Sequence, residues 1–190
     1  MSTIALMATP AQIQHSVEIV HNGGVIAYAT EAVYGLGCDP QSEEATKRIL
    51  AIKQRPLAKG LILIASQMEH IQPYLGKLSK KEQLAMQSVW PGPVTLILPC
   101  SDFAPHWLTG GRDTIAVRIT AHQDVRVLCD ALGHGLVSTS ANLAGCPSIV
   151  DESELHEQFG TAIDHIHPST LGGNDQPSRI IDVRNDRQLR

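Results

Sequence analysis

Lys53, Arg55 and Lys59 crowd the stretch AIKQRPLAKGLILIAS at residues 51–66, just ahead of an apolar run that must be buried. Lys47 and Arg48 precede them, and the segment 45–68 holds no Asp or Glu. Cations without counter-charges suit an oxyanion such as phosphate, because a guanidinium presents a planar fork of donors and an ammonium a compact point charge. The competing reading is a set of cations at a helix C-terminus, where the helix dipole favours them and they face water. Pro56, the missing acids and the buried strand that follows favour an anion site, since ligands of α/β sheets gather where loops leave strand ends.

Hydroxyl groups form a second set. ATEAVYGLG (29–37) leaves a strand with Thr30 and then turns on Gly35 and Gly37. LVSTSANLAG (136–145) ends a strand in Ser138, Thr139 and Ser140, followed by Asn142. Strand alternation puts Ser138 and Ser140 on one side. Such groups either line a pocket as donors or cap the backbone of the turns they enter. No GxSxG elbow accompanies them, nor a recognisable His and acid, so a serine nucleophile is not indicated. Arg118, inside the apolar stretch TIAVRIT, needs a partner, either an acid or a substrate carboxylate. His165 and His167 alternate along one segment without a third ligand, so no metal held by protein side chains is expected. With neither GxxxxGK[ST] nor GxGxxG in the chain, a nucleotide would be held without the common phosphate cradles. Aromatic residues are too sparse for a base-stacking platform.

These groups need a scaffold. Thr9 and Pro10 read as the N-cap and first residue of a helix reaching about His21, which Asn22-Gly23-Gly24 ends. VIAYAT follows as a strand. Ser42 caps a second helix with Glu43 and Glu44 in its first turn; Ala45, Ile49 and Ile52 repeat at helical spacing, and the helix stops before Pro56. LILIA (61–65) reads as a strand covered on both faces. Ser79 and Glu82 form a capping box for a third helix, ending near Trp90-Pro91-Gly92-Pro93. VTLIL (94–98), TIAVRI (114–119) and LVSTS (136–140) are further strands, with a helix around 122–132 between the last two. ESELHEQF is a short helix, AIDHIH and RIIDV are late strands, and PSTLGGNDQPS (168–178) is a polar, mobile loop. Interleaved helices and apolar strands predict α/β architecture, with a mixed sheet because some strands follow one another directly.

The bulk properties agree. A chain of 190 residues with 43% hydrophobic content suits one domain, spanning 1–190, with a full core. A formal charge of −4 argues against a surface coated in nucleic acid but permits a local basic face. The run Leu61–Ala65 is too short to cross a bilayer, and MSTIALMATPAQ lacks the basic flank of a secretory signal. Cys38, Cys100, Cys129 and Cys146 are scattered without a CxxC pair, as expected of reduced cytoplasmic thiols.

ATEAVYGLG, KQRP, WPGPVT, IAVR and STSAN stand in the order found in the YrdC-like family, which the chain resembles from about His21 to its C-terminus. Among these segments the pattern K-x-R … S-x-N, here Lys53, Arg55, Ser140 and Asn142, is specific. The resemblance implies a single twisted mixed sheet flanked by helices, with a concave basic active-site face. It implies a nucleotidyltransferase reaction that joins L-threonine, bicarbonate or carbon dioxide, and ATP (with Mg²⁺) into threonylcarbamoyl-adenylate and pyrophosphate. Partner proteins would then pass the threonylcarbamoyl group to tRNAs reading codons that begin with A. Carried over by position, Lys53, Arg55, Ser140 and Asn142 would be the catalytic motif. Arg55, Lys59, Thr114, Ser140 and Arg190 would contact ATP; Thr30, Arg118, Ser138 and Ser178 would contact threonine. The chain departs from relatives in having Ala29 where many have Pro, Ile64 where longer forms have His, and a divergent segment at 168–177.

A different class remains open: a non-catalytic RNA-binding factor for ribosome or tRNA maturation, using the basic stretch 47–59 with Lys77, Lys80 and Lys81. The net charge opposes it, although weak affinity for tRNA or double-stranded RNA would be compatible with either class. A carbamoyl-adenylate enzyme of hydrogenase maturation would carry zinc-finger-like cysteines, which this sequence lacks.

Overall fold

The computed structural model describes residues 8–190. Its helices are α1 (Pro10–His21), α2 (Glu43–Ile52), α3 (Lys80–Val89), α4 (His106–Thr109), α5 (Gln123–Leu132) and α6 (Glu152–Phe159). Its strands are β1 (Ile26–Ala29), β2 (Tyr34–Gly37), β3 (Ile62–Ala65), β4 (Val94–Pro99), β5 (Thr114–Ile119), β6 (Leu136–Ser140), β7 (His165–Ile166), β8 (Arg179–Asp182) and β9 (Arg187–Gln188). They form one nine-stranded mixed sheet in the order β7-β1-β2-β6-β3-β5-β4-β8-β9.

Local chemistry sets the helix starts. Thr9 and Gln12 make a reciprocal capping box on α1 with Pro10 at its first position, and Ser79 and Glu82 do the same for α3. Ser42 accepts from Ala45 N at 3.2 Å to start α2.

The registers carry one pleat across the sheet, so alternate residues of neighbouring strands share a face. On one face Leu36, Leu63, Ala65, Leu96, Leu98, Val117, Ile119 and Val137 join Ile49, Met86, Leu108 and Phe159 of α2, α3, α4 and α6 in the main core. The opposite face is divided. At one end Ile26, Tyr28, Ile64 and Leu136 lie beneath α1 and α5, packed with Val17, Val20, Val125 and Leu128. Further along, Ile62 registers with both Ala116 and Ser138, and Gly35 with Ser140. These positions line an open cavity.

Several expectations are corrected here. LILIA is not covered on both faces throughout, since Ile62 is only partly buried and faces the cavity, whereas Ile64 is under α1 and α5. Gly35 and Gly37 are not turn residues; they belong to β2, antiparallel to β1. Gly37 has no room for a side chain beneath the Tyr28 ring: a Cβ there would lie 2.7 Å from Tyr28 Cε1 and from the Val137 carbonyl oxygen. AIDHIH shortens to the two residues of β7, and α4 and β9 were not foreseen. The loop after β7 is tied down, with Gly172 N donating to Thr30 O at 3.0 Å and Asn174 N to Glu31 O at 2.8 Å. His165 packs edge-on against His15 with centroids 4.9 Å apart, and His167 Nδ1 lies 2.8 Å from Ser16 Oγ of α1.

Two stability outcomes follow. Gly37→Ala will destabilise the fold by about 1–3 kcal/mol through overpacking against Tyr28, measured as a lower urea midpoint. Burial lowers the His167 pKa from 6.5 to about 4. The unfolded chain therefore takes up this proton before the folded one, and stability is lost as pH falls from 6.5 towards 4. The loss is at most about 3 kcal/mol, and His167→Asn will flatten it in denaturation series across that range.

Candidate active site

The open half-face forms a cavity of about 440 Å³. Its floor follows the pleat: Gly35 of β2, Ser138 and Ser140 of β6, Ile62 of β3, Thr114, Ala116 and Arg118 of β5, Ile97 of β4, Ile180 and Asp182 of β8. Of the residues singled out in the sequence, Thr30, Arg55, Lys59, Thr114, Arg118, Ser138, Ser140, Ser178 and Arg190 meet on this wall. Lys53 and Asn142 do not.

At one end of the cavity Arg118 has found an acid. Its Nη2 is 3.2 Å from Glu31 Oε2, and both side chains are almost fully buried. The pair is incompletely bonded: Glu31 Oε2 and Arg118 Nε have no hydrogen-bond partner, while Glu31 Oε1 accepts from Thr120 Oγ1 at 2.6 Å. A guanidinium in a buried pair with a free edge can still receive a ligand carboxylate. Thr30 spends its hydroxyl proton on Val33 O at 2.7 Å, leaving lone pairs for a donor.

At the other end the wall is cationic. Arg55 donates to Gly60 O at 3.0 Å, and its buried Nε has no partner. Arg112 donates to Lys59 O at 3.2 Å and to Ala58 O, bracing the turn Leu57–Lys59 from the other side. That turn sits tightly on the end of α4, and a Cβ on Gly110 (φ +69°) would come 2.8 Å from Gly60 N. Arg190 holds Ser178 O at 3.0 Å through Nε.

Among the described residues, Glu31 and Asp182 are the carboxylates on the wall, and they pair with Arg118 and Arg184. Arg55, Lys59, Arg112 and Arg190 have no carboxylate within 4.0 Å. Burial, and then Arg112, pulls the Arg55 pKa down. Enclosure, and then Arg118 and Arg55, does the same for Arg190. Like charges gathered without counter-ions disfavour one another until an anion arrives. The outer cations of the basic stretch differ, because Lys47 pairs with Glu43 at 2.7 Å and Arg48 with Asp164 at 2.6 Å.

Lys53 was read as part of the anion grip. Instead the residue is only 3% exposed and its ammonium turns to the end of β6, donating to Ser140 O, to Asn142 O at 2.8 Å and to Asn142 Oδ1 at 3.1 Å. Burial, with Arg55 adding to it, draws its pKa down to about 8. The three oxygens stabilise the charged form at neutral pH.

Comparison with known proteins identifies the scaffold. The Sua5/YciO/YrdC family model, described as telomere recombination, matches residues 18–190. The chain belongs to this family. Threonylcarbamoyl-AMP synthase of Idiomarina loihiensis is 50% identical over 169 residues, covering 88% of this chain and 91% of that one. The protein of the same name from Nitrosococcus oceani is 45% identical, covering 97% and 100%. Among solved structures, P. abyssi Sua5 complexed with L-threonine matches with TM-score 0.86 and 31% identity, covering 93% of this chain and 52% of that one. The chain thus spans about half the length of that protein. E. coli YciO matches with TM-score 0.83 and 30% identity, covering 96% and 90%.

In this family member, sequence reasoning missed Glu31, Arg112 and Arg184. Glu31 was hidden inside the quoted first segment, and it could have been sought as the acid that Arg118 requires. Arg112 and Arg184 lie beside acids in GGRDT and DVRND, so they look like ordinary surface charges.

Arg55→Ala will leave the melting temperature nearly unchanged, since it removes a cation from an unfavourable cluster. Inorganic pyrophosphate at about a hundred times its Kd should stabilise the unmodified protein by about 2.7 kcal/mol, and Arg55→Ala will abolish most of that shift in a thermal melt.

Proposed function

We propose that this chain is a threonylcarbamoyl-AMP synthase, joining L-threonine, bicarbonate or carbon dioxide, and ATP, with release of pyrophosphate. The observation that carries the reading is the cluster of Arg55, Lys59, Arg112 and Arg190, which faces a cavity without carboxylate partners of its own. The curated relatives of that name cover nearly the whole chain at close to half identity, which supports it.

The chemistry suits such a wall. A threonine carbamate oxygen attacks the α-phosphorus of ATP, the bond to the bridging oxygen breaks, and pyrophosphate leaves with the electron pair. Negative charge spreads over phosphoryl oxygens, so the rate depends on cations held in place rather than on a nucleophilic side chain. Arg55, Lys59, Arg112 and Arg190 would hold the phosphates. Arg118 would take the threonine carboxylate while keeping its ion pair with Glu31, and Thr30, Ser138 and Ser178 would orient the amino acid. Thr114 and Ser140 would meet the nucleotide.

Mg²⁺ fits as an ion carried by the triphosphate. Both wall carboxylates are already engaged by arginines, and Mg²⁺ readily keeps water and phosphate oxygens as its ligands. It would neutralise phosphate charge there. Handing the product to tRNA through partner proteins belongs to the same reading. Lys81, part of the basic surface invoked for a pure RNA binder, pairs with Asp186 at 2.8 Å.

Pyrophosphate release should require threonine, bicarbonate and ATP together, dropping to background when any one is omitted. Release that persists without threonine would overturn the assignment.

A further inference from the structure

Lys53 and Asn142, the motif residues that stay off the cavity wall, act on one that reaches it. The orientation of the Asn142 amide is fixed by its neighbours. Nδ2 donates to Leu143 O at 2.9 Å and to Cys146 O at 2.8 Å, which uses both of its hydrogens. Oδ1 therefore faces the Lys53 ammonium at 3.1 Å and the Ser140 hydroxyl at 2.6 Å. The flipped amide would point hydrogens at an ammonium and an oxygen at two carbonyls. Because Oδ1 carries no hydrogen, Ser140 has to donate its single proton to it. The Lys53 ammonium, with three hydrogens and three oxygens around it, fastens Ser140 O, Asn142 O and Oδ1 together. Ala144 N donates back to Lys53 O at 3.2 Å, closing the arrangement. Ser140 Oγ thus stands on the wall with only lone pairs to offer.

We propose that Ser140 acts towards the ligand solely as an acceptor, and that Lys53 and Asn142 are positioning residues that hold it in that state. The inference rests on the nucleotide reading of the cavity and refines it. Phosphate oxygens held among Arg55, Lys59, Arg112 and Arg190 bind in their unprotonated form, because the cations favour it, and cannot be the partner of Ser140. Its partner is electropositive: an N–H or O–H of the nucleoside, or the cation riding on the phosphates. Lys53, though adjacent to Arg55 in the motif, contributes no direct grip on phosphate.

Calorimetry of the unmodified protein, Ser140→Ala, Lys53→Gln and the double variant tests this, using inorganic pyrophosphate alone, pyrophosphate with Mg²⁺, and ATP. Ser140→Ala should bind pyrophosphate alone within about twofold of the unmodified protein, and lose about fivefold for a ligand that presents the electropositive partner. A loss with magnesium pyrophosphate names the cation as that partner; a loss confined to ATP names a nucleoside hydrogen. Lys53→Gln should follow the same pattern, and adding it to Ser140→Ala should weaken binding no further. Weaker binding of pyrophosphate alone by Ser140→Ala overturns the proposal. So does unchanged binding of every ligand, or additive losses in the double variant. If Lys53→Gln fails to fold, the Ser140→Ala series decides alone. An unmodified protein that binds neither ATP nor pyrophosphate overturns the synthase reading and this assignment together, whereas normal binding with the wrong variant pattern overturns this assignment only.

Discussion

A pleated sheet must dispose of two faces, and here only one and a half of them are closed. The face holding Leu63, Val117 and Val137 is sealed by α2, α3, α4 and α6; the other is sealed by α1 and α5 only around Tyr28 and Ile64. Where the cover stops, the outward positions change character, from Leu136 to Ser138 and Ser140 along β6, and β5 presents Thr114, Ala116 and Arg118, while Ile62 continues the apolar row of β3 into the open cavity. Period-two alternation thus forces the strand-borne site residues onto one surface, while Arg55, Lys59 and Arg112 reach it from the turns at its rim. The hydroxyls and guanidinium stand on rigid elements whose other face is hydrophobic core, which fixes their spacing.

That arrangement holds electrostatic tension. Arg118 and Arg184 are matched by Glu31 and Asp182, so one part of the wall is neutral at rest. Burial lowers the affinity of Arg55 and Arg190 for protons, and neighbouring guanidinium groups lower it further. An entering polyanion relieves this repulsion, and part of its binding free energy is the removal of a strain already present in the empty protein.

The sequence made the locally encoded features visible. The N-cap at Thr9 with Pro10 beside it, the capping box of Ser79 with Glu82, and the shared side of Ser138 and Ser140 all depend on residues at most three apart, so they could be read directly. The need of Arg118 for a partner was legible, but its identity was not, because Glu31 approaches from the end of a different strand. Lys53 misled for the same reason. A cation in an acid-free stretch looks available, yet its partners are oxygens at the end of β6, far along the chain. β2 was obscured because glycine weakens every strand signal, and the demand for glycine comes from a ring on β1.

The cavity floor draws residues from Gly35 to Asp182 in chain order and from six adjacent strands in space. No early portion of the polypeptide can assemble it, since β8 docks beside β4 only after most of the chain is available. Affinity for an anion therefore arrives late and all at once during maturation of the molecule. A partly assembled chain would be invisible to its own substrates, and nucleotide would reinforce only those copies in which the last strands have been laid down.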